Sequence, residues 1–179
     1  MRWPAAFCAA LAFALPALAA DDVPAPPGPG ATAPRFSLQD QDGRWHSLDQ
    51  YVGHWVVLYF YPKDGTPGCT KEVCAFRDHI DKVRAAGAEV LGVSVDDVAS
   101  HAKFAKEQHV PFALLADSSQ ETARAYGVLT SKLGFHYARR DTFIIDPQGK
   151  IAKHYQDVDP EKNVGQVLAD LETLKAAAK

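Results

Sequence analysis

Residues Trp55 to Tyr61 (WVVLYFY) form an unbroken run of aromatic, β-branched and aliphatic side chains of strand length. A strand without polar alternation has no face to offer to water, so it must lie inside a sheet that is covered on both sides. Pro62 ends the run, because proline has no N–H to continue a ladder. After a loop from Pro62 to Pro67, apolar residues return at helical spacing as Val73, Phe76, Ile80 and Val83, and Gly87 supplies a stop. A central strand feeding directly into an amphipathic helix commits the chain to a layered α/β plan.

The remaining pattern extends that plan. Glu89 to Val95 is a second apolar strand, Asp96 or Asp97 can cap a helix over Val98 to Gln108, and Val110 to Leu115 is a third strand. A short helix over Glu121 to Tyr126 is closed by Gly127. Thr142 to Ile145 and Ile151 to Tyr155 are strands joined by Asp146-Pro147-Gln148-Gly149, with Pro and Gly where a turn wants them. In the last helix Asp159 is the cap and Pro160 the first helical residue, and Val164, Val167, Leu168, Leu171 and Leu174 make one stripe. Upstream of the central strand, Phe36, Leu38, Trp45 and Leu48 flank the turn Gln41-Asp42-Gly43-Arg44, the pattern of a hairpin. The sum is a mixed β-sheet with helices on both faces, its early units parallel and its late pair antiparallel. The connection Leu129 to Tyr137 (LTSKLGFHY) is too long to be geometry alone and is a candidate lid or binding edge.

The segment ahead of the sheet-forming region differs from the rest of the chain. Arg2, the apolar run Ala5 to Leu15 and the A-x-A site Ala17-Leu18-Ala19 read as a cleaved secretory signal over residues 1–19, which places the protein in the periplasm or outside the cell. Cys8 lies within that run and has no role in the mature chain. Residues 20–34 hold five prolines and two glycines and read as an extended tether ahead of a folded domain at 35–179. Once residues 1–19 are set aside, 18 basic side chains face 22 acidic ones, which gives no electrostatic reason to expect nucleic acid. No stable membrane insertion is expected either, because Pro16 breaks the apolar run and Asp21-Asp22 follow it.

Chemistry concentrates at the junction of the central strand and its helix. With Thr66 as cap and Pro67 at the first helical position, Cys69 falls at the third. There the unpaired backbone N–H groups and the positive end of the helix dipole favour a thiolate, the nucleophilic form of cysteine. The same cap position brings the Thr66 hydroxyl close to the sulfur. Cys74 is the other cysteine of the mature chain. A structural disulfide between the two is the plain alternative, but five residues of ideal helix place the Cα atoms roughly 8 to 9 Å apart, and a disulfide accepts up to about 7 Å. The pair can bridge only if the first turns of the helix open, and Gly68 lowers the cost of opening them. A metal site would need two further ligands at suitable spacing. The seven histidines show no ligand spacing and read as solvated, with His136 in the long connection the one to watch.

The segment Tyr61 to Asp78 (YPKDGTPGCTKEVCAFRD) resembles the active-site signature of the peroxiredoxins, P-x-x-x-T-x-x-C, here Pro62, Thr66 and Cys69. TPGCT with a second cysteine five residues on is more closely similar to the PrxQ, or bacterioferritin comigratory protein, branch. The similarity runs from about Ala33 to Lys179 and includes Arg140-Asp141-Thr142-Phe143-Ile144-Ile145-Asp146, which looks like the family's arginine-bearing strand. The resemblance implies a thioredoxin-like fold and a thiol peroxidase acting on hydrogen peroxide and organic hydroperoxides. It implies Cys69 as the peroxidatic cysteine, Cys74 as the resolving one, Pro62, Thr66 and Arg140 completing the peroxide site, and Glu72 orienting the arginine. Register alone leaves Arg139 and Arg140 both open; the family's position selects Arg140. The resemblance also implies no cofactor, a thioredoxin-like or other dithiol reductant, and a monomer. An exported thiol-disulfide oxidoreductase acting on proteins would share the fold but normally carries C-x-x-C, whereas a non-catalytic thioredoxin-like domain would keep a permanent disulfide.

Overall fold

The computed structural model describes residues 23–177. The leader expected at residues 1–19 therefore lies outside the described residues. The chain runs β1 (Ser37–Gln39), β2 (Trp45–Ser47), a 3-10 turn (Leu48–Tyr51), β3 (Trp55–Phe60), α1 (Pro67–Ala85), β4 (Ala88–Ser94), α2 (Val98–Gln108), β5 (Ala113–Ala116), α3 (Glu121–Ala125), β6 (Leu129–Lys132), β7 (Phe135–Ala138), β8 (Thr142–Ile145), β9 (Ile151–Tyr155) and α4 (Asn163–Ala177). Seven strands make one sheet in the order β2-β1-β5-β4-β3-β8-β9. β3 pairs in parallel with β4 and antiparallel with β8, so it is interior, and all six of its residues are buried.

The period of two along β3 divides the core. Val57 and Tyr59 point to the face covered by α1, α2 and α4, where they meet Val73, Phe76, Val83, Phe104, Val167 and Leu171. Val56, Leu58 and Phe60 point to the other face and meet Leu38, Ala123, Tyr126, Phe143 and Ile145. The expected mixed sheet with helices on both faces is what forms. Among the described residues no helix is long and apolar enough to cross a membrane.

Four local expectations differ from the structure. Residues 23–34 are not a free tether: Gly30 N–H donates to Ile151 O (2.8 Å), Ala33 N–H to Gly149 O (2.9 Å), Ile151 N–H to Ala31 O (2.8 Å), and Ala33 is buried. Val23 packs against the second core cluster, and Gly127 has no room for a Cβ because Pro24 O would lie 2.4 Å from it. Proline-rich sequence suggests a chain with nothing to pair, yet the intervening Gly and Ala amides supply the donors. The connection Leu129 to Tyr137 is a two-stranded hairpin, β6 with β7, separate from the main sheet. Its reversal places Leu133 (φ 53°) and Gly134 (φ 80°) in left-handed backbone, as a two-residue hairpin turn requires. β5 begins at Ala113 rather than Val110, because Val110 N–H still closes α2 on Ala105 O (2.9 Å) behind a left-handed His109. The last helix begins at Asn163, since Asp159 O accepts from the amides of both Lys162 and Asn163 in a preceding turn.

Candidate active site

β3 delivers the chain to the floor of the site and α1 carries it away. Thr66 is the N-cap in extended backbone, Pro67 stands in the first turn, and Cys69 is 1 % exposed on the inner side of that turn. The Thr66 hydroxyl makes no cap; it donates to Lys63 O at 3.0 Å, tightening the loop instead of turning toward the Cys69 sulfur as expected. The loop is fixed by Asp64. Its carboxylate accepts from the Tyr61 hydroxyl, Ser100 Oγ and His101 Nδ1, each at 2.8 Å, while its own N–H donates to Asp96 Oδ2 at 2.9 Å. Burial pushes the Asp64 carboxyl up, but His101 and the two hydroxyls outweigh it and hold it below the ordinary value. His101 is fully buried, and its Nε2 finds no partner among the described residues. Reading every histidine as solvated is thus corrected for His101, for His154, which pairs with Asp141 at 2.9 Å, and for His46, whose ring nitrogens meet Asp40 Oδ2 (2.9 Å) and the Tyr51 hydroxyl (2.6 Å).

The residues just before β8 send the two arginines to different partners. Arg139 reaches Gly127 O (3.1 Å) and Asp141 Oδ2 (3.2 Å). Arg140 turns the other way, and its Nη2 donates to Cys69 Sγ at 3.3 Å while Nη1 donates to Glu72 Oε2. Glu72 is completely buried, and burial lifts its carboxyl to about 7 against the pull of Arg140. Its second oxygen has no partner among the described residues. Gly68 proves to have a steric reason beyond its weak helix propensity: a Cβ there would sit 3.1 Å from Arg140 Nη2. The floor is Tyr59, stacked on Phe76 at 4.7 Å, with Gly92 leaving the space its hydroxyl fills. The outcome is one partly buried guanidinium shared by a sulfur and a carboxylate, an arrangement that can hold an oxygen atom at the sulfur and stabilise negative charge on its neighbour.

Cys74 lies on the same unbroken helix, half-buried, with its thiol 3.6 Å from Gln108 Oε1. Both cysteines are free. Cys69, Glu72 and Arg140 are thus brought together, whereas Cys74 and the Thr66 hydroxyl point elsewhere. Pro62 lies at the edge of an apolar groove of about 480 Å³, with Lys63 and Val95 beside it and Phe135, His136 and Tyr137 of the β6–β7 hairpin opposite. Sequence reasoning missed Asp64, His101 and Gln108, none of which stands at a diagnostic spacing from either cysteine.

Comparison with known proteins agrees with this geometry. The AhpC/TSA family model matches residues 29–154. Chloroplastic peroxiredoxin Q from Oryza sativa subsp. japonica is 45 % identical over 146 residues, spanning 81 % of this chain and 67 % of that protein. The Arabidopsis thaliana peroxiredoxin Q is 44 % identical over 149 residues, spanning 83 % and 67 %. Among solved structures, peroxidoxin BcpB from Mycobacterium tuberculosis superimposes with a TM-score of 0.77 at 34 % identity, covering 82 % of this chain and 97 % of that one. The bacterioferritin comigratory protein of Xanthomonas campestris, studied for its alkyl peroxide reduction activity, gives 0.74 at 36 % identity over 86 % and 98 %. These names correct one expectation. The curated relatives are chloroplastic, which points to a plastid and not to a periplasmic or secreted protein with an export signal. A buried cysteine at a helix start under a paired arginine, a matching family model over most of the chain and relatives named peroxiredoxin Q converge: the chain belongs to the AhpC/TSA family and is a thiol peroxidase of the peroxiredoxin Q kind.

Proposed function

We propose that Cys69 is the peroxidatic cysteine and Cys74 the resolving one, and that the chain reduces hydrogen peroxide and organic hydroperoxides as a monomer through an intramolecular disulfide. The observation that carries this reading is Arg140, which donates to Cys69 Sγ at 3.3 Å and to Glu72 at the same time. The Cys69 thiolate attacks one peroxide oxygen, the O–O bond breaks, and the other oxygen leaves as water or an alcohol after taking up a proton. Arg140 stabilises the charge that builds on the leaving oxygen, and Glu72 keeps the guanidinium aimed. Thr66 and Pro62 shape the entrance, and the apolar groove beside Pro62 suits the alkyl part of an organic hydroperoxide. Cys69 is left as a sulfenic acid. The Cys74 sulfur then attacks it, the S–S bond forms and water leaves. A thioredoxin-like or other dithiol reductant returns both thiols by exchange.

The test compares the reduced chain with Cys69→Ser and Cys74→Ser. Peroxide should be consumed in one rapid turnover by the unmodified chain and by Cys74→Ser, and not at all by Cys69→Ser. Only the unmodified chain should then carry an intramolecular disulfide, seen by mass and by migration as a monomer on a non-reducing gel. Turnover by Cys69→Ser, or a disulfide-linked dimer as the product, would overturn the assignment.

A further inference from the structure

The surroundings of Cys74 contain a device that the peroxidase chemistry does not itself require. Its thiol lies 3.6 Å from Gln108 Oε1 at the C-terminal end of α2. Arg77, one turn further along α1, donates through Nη1 to the backbone carbonyl of the same Gln108 at 2.7 Å, and its guanidinium also interacts with Cys74. A second arginine on this side of α1, Arg84, donates to Pro111 O at 2.8 Å. One stripe of α1 is therefore tied at three places to the end of α2 and the segment that follows it, and Cys74 is the tie nearest the peroxidatic turn.

We propose that Gln108 is a positioning residue that parks the resolving thiol, holding Cys74 turned away from Cys69 until the helix opens. The inference rests on Cys74 being the resolving cysteine. An amide oxygen can accept a hydrogen bond only from the S–H form and repels a thiolate, whereas attack on a sulfenic acid is made by the thiolate. Leaving Gln108 and becoming nucleophilic are thus one event. When it happens, the S–H proton is released to solvent, the Cys74 sulfur bonds to Cys69, and the sulfenic oxygen departs as hydroxide that takes up a proton to become water. Arg77 is the cation that remains beside the sulfur through this step. Arg77 and Arg84 lie beyond Cys74, so their ties hold the rest of α1 in place while the turns before them open. The time spent parked lengthens the life of the sulfenic acid, the interval in which a second peroxide can carry Cys69 to the sulfinic acid.

Gln108→Ala removes Oε1 but keeps the backbone carbonyl that Arg77 grips, so the α1 to α2 tie survives. The reduced chain is mixed with hydrogen peroxide, and sulfenic acid, disulfide and sulfinic acid are followed by quenching and mass measurement across a range of pH. Disulfide formation should be about threefold to tenfold faster than in the unmodified chain, the scale of one modest hydrogen bond. Sulfinic acid at a given peroxide concentration should fall in proportion, and the first phase, loss of peroxide, should be unchanged. Gln108→Glu should slow disulfide formation, because a carboxylate oxygen accepts the thiol hydrogen bond more strongly than an amide oxygen does. Disulfide formation at the unmodified rate in Gln108→Ala, or a parallel change in the first phase, would overturn the inference while leaving the resolving role intact. Failure of the unmodified chain to form the Cys69–Cys74 disulfide would overturn both.

Discussion

The disulfide proposed above cannot form across an intact α1, and the structure sets how far that helix must open. Opening from Pro67 through Cys74 exposes Cys69 and Val73, each 1 % exposed, and separates Glu72 from Arg140. Phe76, also 1 % exposed and stacked on Tyr59, need not move. Uncovering Val73 and Cys69 costs about 1.5 to 2 kcal/mol each, and loss of the charged hydrogen bond adds about 1.5 to 3 kcal/mol, so opening costs roughly 4.5 to 7 kcal/mol. Freeing Phe76 as well would add about 2 to 3 kcal/mol. The reduced chain should therefore open this stretch about one part in 10³ to 10⁵ of the time, and amide exchange there should be slowed by the same factor. In the disulfide form the opened state is locked in, and protection over residues 69–75 should fall to within about tenfold of an unstructured chain. Protection from Phe76 onward should persist in both forms. Hydrogen exchange of the two forms, read by mass spectrometry on peptides spanning 62–85, measures this directly. Equal protection of residues 69–75 in both forms would refute the opening, and loss of protection reaching Ile80 would refute the boundary at Phe76.

Other perturbations separate the parts of the site. Arg140→Lys keeps a charge but loses the fork that serves sulfur and carboxylate together, so the peroxide step should slow by about tenfold or more in stopped-flow measurements, while Arg139→Lys should leave it nearly unchanged. Gly68→Ala should act in opposite directions on fold and activity: it gains up to about 1 kcal/mol of helix propensity, seen as a higher denaturation midpoint, but its Cβ presses on Arg140 and should lower the peroxide rate several-fold. Glu72→Gln tests the buried carboxyl. Glu72 ionises near 4.5 when unfolded and at about 7 when folded, so between those values the folded state holds the extra proton and stability falls as pH rises. The drop is on the order of 3 kcal/mol across that window; urea titrations at several pH values should show the drop in the native chain and a flatter profile in Glu72→Gln.

How much of this was legible depends on whether the determining signal is local. β3 and α1 could be read because a wholly apolar strand, a terminating proline and an apolar stripe all act within a few residues, and Cys69 inherits its place from them. Arg140 could be placed only through family resemblance, since Arg139 and Arg140 are chemically identical neighbours. What separates them is Asp141, itself anchored by His154 and Asp157 from a different strand and turn. The hairpin at 129–138 was hidden because Leu133 takes a left-handed conformation usually left to Asn, Asp or Gly. The Asp64 to His101 contact was hidden because it joins residues 37 apart through a bond that leaves no periodic trace. The Thr66 hydroxyl went to Lys63 because a loop carbonyl lay within reach, a competition that cap preference alone does not describe.

The docked segment before Arg35 bears on how this protein behaves in a crowd. β9 is the last strand of the sheet, so its outer side would present unpaired amides and carbonyls to any passing chain. Thr32 bridges Lys150, and the bonds between Gly30 or Ala31 and Ile151 occupy that side where β9 begins. Proline at 24, 26, 27, 29 and 34 leaves the outward side of this cover with few amides of its own to recruit another strand. The segment thus serves as a selvedge, a finished border that stops the weave from continuing into a neighbouring molecule. A chain trimmed to begin at Arg35 would keep every residue of the peroxide site and lose that border. Its expected defect is self-association that grows with concentration, with peroxide turnover per dissolved molecule preserved.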